Sequence, residues 1–179
     1  MKKLFIPIIL LAVVISACKK DDPVIPNEEE LITTLTYELT PANGGDKIIL
    51  KFTDLDGDGG NNPAYETSPL SANTVYNGIL RLENELETPP ENITEEVKEE
   101  GAAHQFFYID NILEGDVAYV DEDINGNPIG IETVLETGSA GTGTLTIILR
   151  HEPKKPNNGT PEDAGGETDI EVTFQLTVQ

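Results

Sequence analysis

The sequence predicts an all-β protein, an antiparallel β-sandwich of immunoglobulin-like or jelly-roll kind with about eight or nine strands. Three observations lead there. Short runs alternate apolar and polar residues with period two, Gly, Pro, Asn and Asp separate those runs, and no helical apolar period extends to a convincing length. With 16 Gly and 12 Pro in 179 residues, turn residues are dense enough to punctuate many short strands. One cysteine and no tryptophan mean that the disulfide and buried indole of antibody domains are missing, so any immunoglobulin-like kinship rests on the strand pattern alone.

At the start of the chain Lys2 and Lys3 precede an apolar run from Leu4 to Ile15, broken only by Pro7, and the small residues Ser16 and Ala17 lead into Cys18. That order is a signal peptide's, and the run is too short to span a bilayer. Ile15-Ser16-Ala17-Cys18 resembles the bacterial lipobox, which implies cleavage before Cys18 and acylation of its thiol; a free core thiol is the competing reading. Residues 1–17 are thus expected to be a lipoprotein signal peptide. Their removal leaves 162 residues, enough for a single core, and the loss of two lysines takes the formal charge from −22 to −24. So acidic a chain has no basic surface for nucleic acid and would be repelled by a bare anionic membrane, so membrane attachment is expected through the lipid anchor.

Residues 18–30 read as a flexible tether, polar and broken by Pro23 and Pro26, and residues 31–179 as a single β-sandwich domain. Lys20-Asp21-Asp22 close behind the cysteine resembles the signal that sends Bacteroidota lipoproteins to the outer face of the outer membrane; an ordinary charged linker is the other reading. Leu31, Thr33, Leu35, Tyr37 and Leu39 share one face of a first strand, and after the turn residues Pro41 to Asp46 a second strand carries Ile48, Leu50 and Phe52 inward. Asp54 to Asn73 is expected to be a long loop, followed by a third strand over 74–86 with Tyr76, Leu80 and Leu82 on one side. Residues 92–100 are ambiguous: Asn92 with Glu95 suggests a capping box, yet Ile93 and Val97 suit helix and strand alike, and an edge strand is the expectation. Further strands are expected over 104–109, 117–120, 129–136, 144–150 and 169–178, with a turn at Asn125-Gly126 and a polar loop over 151–168.

Asp121, Asp123, Asn125, Gly126 and Glu132 fit the twelve-position calcium loop, in which alternate oxygen ligands converge and a distal glutamate closes the site. The flanks are strand-like, so an acidic hairpin tip is the competing reading. Asp54, Asp56 and Asp58 repeat the spacing, but Tyr65 stands at the twelfth position, leaving an exposed loop or a Ca²⁺ site. His104 and His151 are the only histidines, and both stand at strand ends. Were those strands neighbours, the imidazoles could meet and, with Glu152 or another carboxylate, take a transition metal or haem iron; two unrelated surface histidines is the alternative.

Ser68, Ser71 and Ser139 lie in no nucleophile elbow, and neither a phosphate loop nor a dinucleotide fingerprint is present, so the protein is not expected to be an enzyme. Phe52 to Gly60, Leu82 to Glu85, His104 to Tyr108, Leu149 to Pro153 and Gly166 to Val172 together resemble a group of uncharacterised small Bacteroidota outer-membrane lipoproteins. The resemblance covers the whole mature domain and implies association with a TonB-dependent receptor and a part in capturing a scarce nutrient. Some members are labelled as a type 1 periplasmic binding fold, which needs two α/β lobes and a longer chain than this one. The expectation is a lipid-anchored, surface-exposed, ligand-binding protein of the outer membrane that takes a metal or metal complex. The alternative is a structural or adhesive surface module whose acidic loops are stabilised by calcium.

Overall fold

The computed structural model describes residues 30–57 and 59–179; the expected signal peptide over 1–17, Cys18, tether residues 19–29 and Asp58 lie outside the described residues. Alternation builds the first three long strands. β1 (Thr34–Pro41) buries Leu35, Tyr37 and Leu39, and β2 (Ile48–Thr53) returns antiparallel to it with Phe52 opposite Leu35 and Leu50 opposite Tyr37. Leu31, expected on the inward face, is instead 57% exposed, because the strand begins only at Thr34. β3 (Ala64–Thr67) is an edge strand inside the segment expected to be loop, and all four of its residues are exposed, so no apolar alternation marks it. β4 (Val75–Asn84) pairs with the other side of β1 and buries Tyr76, Leu80 and Leu82.

After the two-residue β5 (Glu91–Asn92) comes α1 (Ile93–Glu99), which corrects the expectation of an edge strand over 92–100. Ile93 and Val97, one helical turn apart, are both buried, and the helix is held to β4 by Thr94. Its Oγ1 accepts from Leu82 N at 2.7 Å and donates to Leu82 O at 3.2 Å, satisfying the two groups that a neighbouring strand would otherwise meet. Asn92 is the N-cap but its side chain makes no capping bond, so the capping box does not form.

β6 (His104–Asp110), β7 (Ala118–Tyr119), β8 (Glu132–Glu136) and β9 (Gly141–His151) follow, then α2 (Pro161–Ala164), capped by Thr160, and β10 (Glu167–Val178). β7 and β8 pair antiparallel around the Asn125-Gly126 turn, as the sequence suggests. The described residues thus form a mostly β fold of ten strands in two antiparallel sheets with two short helices. One sheet runs β3-β2-β1-β4-β8-β7, with β5 also on β4, and the other runs β10-β9-β6.

Leu35, Tyr37, Leu50, Leu80 and Leu82 of the larger sheet share one core with Phe106, Ile147, Leu149, Val172 and Phe174 of the smaller. Each such side chain contributes about 1.5–3 kcal/mol by leaving water. Tyr37 Oη and Thr133 Oγ1, 2.6 Å apart, link β1 to β8 across β4. The link passes over Gly78, where a Cβ would lie 2.5 Å from Tyr37 Oη.

Candidate metal centre

At one end of the smaller sheet the core face becomes polar. On β9 the inward positions run Leu145, Ile147, Leu149 and then His151; on β6 they begin with His104, ahead of Phe106. The register sets His104 directly opposite His151, so the two imidazoles meet, with ring centroids 4.6 Å apart. On β10 the pairing shifts between Thr168 and Ile170, leaving Asp169 as the extra residue of a β-bulge. Strict alternation would turn Asp169 away from the core that Ile170 faces; the bulge turns its carboxylate inward onto the histidines. Glu30, assigned by sequence to the tether, completes the group.

The four side chains alternate base and acid. His104 Nε2 lies 3.1 Å from Glu30 Oε1 and 3.9 Å from Asp169 Oδ2, while His151 Nδ1 lies 4.0 Å from Glu30 Oε2 and 3.7 Å from Asp169 Oδ1. One ligand atom from each residue lies within 4.8 Å of all the others, and every side chain is at most 4% exposed. Ligands bound at about 2.0–2.2 Å to a tetrahedral ion stand roughly 3.3–3.6 Å apart, so these spacings need only modest tightening to hold one. The same closeness leaves no room for a macrocycle between two axial imidazoles, so the group suits a bare ion rather than haem iron.

Protonation decides what the cluster can accept. His104 Nδ1 is 3.3 Å from the carbonyl oxygen of Glu100, which can only accept, so Nδ1 carries the proton and a neutral ring turns its Nε2 lone pair towards Glu30. Burial lowers the pKa of His104; Glu30 opposes that and His151 adds to it. The neutral imidazole therefore aims a lone pair at a carboxylate, an arrangement that only a shared proton or an intervening cation makes favourable. Glu30 Oε2 and His104 Nε2 accordingly have no hydrogen-bond partner among the described residues. The pKa of the nearby Glu96 carboxyl is raised by burial, then by Glu30 and Glu100.

No protein-family model, curated protein or solved structure matches this chain.

The acidic loops behave differently. Asp54 Oδ1 accepts from the backbone N–H groups of Asp56 and Gly57, and Asp56 Oδ2 accepts from Asn61 N and Nδ2, which lower its pKa. Asp121 accepts from Gly130 N and Ile131 N through its two oxygens. Asp123 Oδ1 accepts from Asn125 N and Asn127 N, and its Oδ2 faces the buried Lys155 ammonium at 3.4 Å. Burial works to raise the Asp123 pKa, but those N–H groups and Lys155 outweigh it and hold it low. Glu132 pairs instead with Lys98. Among the described residues Asp121, Asp123 and Glu132 are not gathered into one group, and the only group of three or more His, Cys, Asp or Glu ligands is the histidine cluster; Asp58, the third carboxylate of the other calcium-patterned set, lies outside the described residues.

Sequence thus singles out His104 and His151 but misses their carboxylates. Glu152, the residue suggested as their partner, is exposed and outside the cluster. Asp169 is hidden by an alternation that the bulge breaks, and Gly165-Gly166 just before the strand is the one signal of such an irregularity. Glu30, the last of three consecutive glutamates after Pro26, has no signal in its composition.

Proposed function

We propose that this is a non-enzymatic, metal-binding protein of the cell envelope, a lipid-anchored β-sandwich whose Glu30, His104, His151 and Asp169 take one divalent transition-metal ion for an outer-membrane uptake receptor. The observation that carries the reading is the neutral His104 Nε2 aimed at a buried carboxylate within a four-ligand group. Two neutral imidazoles and two carboxylates sum to a charge of two minus, which one divalent ion cancels in a place where uncompensated charge is costly. Mixed imidazole and carboxylate ligands favour zinc and its first-row neighbours over calcium, which prefers oxygen ligands alone. Four protein ligands with no open position favour holding an ion over activating a water on it.

Titration of the purified protein with zinc, followed by calorimetry, tests the reading. Saturable one-to-one binding tighter than about 10 μM, close to −7 kcal/mol, is expected, with His104→Ala and His151→Ala each removing most of it. Wild-type protein that binds no zinc, copper, nickel or cobalt at that level would leave the cluster as a proton-shared salt-bridge quartet. For attachment, Cys18→Ser is expected to release the protein from membranes; an acylated, membrane-bound variant would refute the role given to Cys18.

A further inference from the structure

The four ligands are not held alike. His104 sits on β6, His151 on β9 and Asp169 on β10, three adjacent strands whose pairing is continuous from β6 to β9 and resumes on both sides of the Asp169 bulge between β9 and β10. His151 is opposite both His104 and Glu167, and Glu152 N donates to Ala103 O at 2.7 Å just beyond the pair, so this edge of the sheet is closed. Glu30 belongs to no strand. Among the described residues no backbone hydrogen bond holds Glu30, Leu31 or Ile32; the first is Thr33 N to Glu83 O at 3.1 Å. Leu31 is 57% exposed, leaving the partly buried Ile32 as the nearest apolar anchor.

An ion enclosed by side chains at most 4% exposed can enter or leave only if a ligand moves. Moving His104 or His151 means breaking a ladder pair, and moving Asp169 means disturbing the pairs at Thr168 and Ile170 that flank it, whereas among the described residues moving Glu30 breaks its contacts with the cluster and turns backbone torsions that no backbone hydrogen bond holds. Local opening follows the smallest loss of buried contacts and backbone hydrogen bonds. The geometry points to Glu30 as the exchangeable ligand: a divalent metal enters and leaves by its detachment, and the bound metal pins residues 30–32 to the smaller sheet. The role rests on the metal-binding reading above. It makes the ion removable cargo, with three ligands preorganised on strands and a fourth that closes over them.

Zinc serves as the probe, and two measurements on the full chain separate this role from the reading beneath it. In zinc release to an excess of chromophoric chelator, Glu30→Gln is expected to release more than about tenfold faster than wild type, since even groups that only support a ligand are worth that factor. In amide hydrogen exchange, saturating zinc is expected to slow exchange at Leu31 to Thr33 more than anywhere in β6, β9 or β10. Asp169→Asn at saturating zinc should keep that local protection, and Glu30→Gln should lose it while still binding zinc. Wild-type release unchanged by Glu30→Gln, or zinc protection confined to the strands, would overturn the role while leaving the metal site standing. Absence of zinc binding by wild type would remove both.

Discussion

A buried acceptor without a donor costs about 1–3 kcal/mol, and Glu30 Oε2 is one among the described residues. Its neighbour His104 has a cost that varies with pH. Burial lowers the His104 pKa in the folded protein, whereas the unfolded chain takes up the proton near 6.5. Between those two values the unfolded state binds more protons, so stability rises with pH there. The His104 contribution is therefore full above about pH 6.5 and is lost as pH falls from there through the folded value. Melting curves of metal-free protein from pH 8 to 5 should show this loss, and His104→Gln should flatten the difference. An identical pH profile in the variant would mean that His104 does not titrate as its burial requires. At this scale the sequence is legible for the histidines, whose rarity and strand-end positions mark them. It is illegible for Glu30 and Asp169, two of 33 acidic residues, because nothing in composition separates a ligand carboxylate from a solvated one.

Elements were legible wherever burial on one face imposed a period. β1, β2, β4, β9 and β10 follow the alternation of Leu35 to Leu39, Leu50 to Phe52, Tyr76 to Leu82, Leu145 to Leu149 and Ile170 to Val178. Failures came where fewer than two turns or two periods were available. α1 offers only Ile93 and Val97, a spacing that both helix and strand satisfy, and tertiary contact with β4 decided for helix. Thr94→Val should test that contact: it keeps the shape but strips Leu82 N and O of their partners, which should lower stability by about 1–3 kcal/mol in denaturant melts. A second test joins element to site at the entry to β10. Gly166 has a φ of +76°, and a Cβ there would lie 2.3 Å from the carbonyl oxygen of His151. Gly166→Ala should therefore cost about 1–3 kcal/mol through strain and overpacking, and it should weaken zinc binding by displacing the His151 backbone. Unchanged zinc affinity in a destabilised variant would show that the strand start and the metal site are mechanically independent.

For the whole molecule the dominant fact is charge. A formal −22 opposes compaction by self-repulsion, and salt should relieve it, raising the melting temperature of wild type and cluster variants alike. Zinc should act differently. An ion bound only by the folded state stabilises it by mass action, about 2.7 kcal/mol at a hundredfold excess over Kd, and only while both histidines are intact. Its effect should also fall with pH, because imidazole must be neutral to bind a metal and protons compete for the same nitrogen. Calcium is the control that separates the two effects, since Asp54, Asp56, Asp121 and Asp123 already accept backbone N–H groups and Asp123 faces Lys155. Millimolar calcium should thus raise the melting temperature no more than magnesium at equal ionic strength. Micromolar zinc at pH 7.5 should raise it by several degrees, less at pH 5.5, and not at all in His104→Ala. A calcium-specific shift that Asp56→Asn or Asp123→Asn abolishes, with no zinc shift in wild type, would move the functional weight from the histidine cluster to the acidic loops and make the protein a calcium-stiffened surface module.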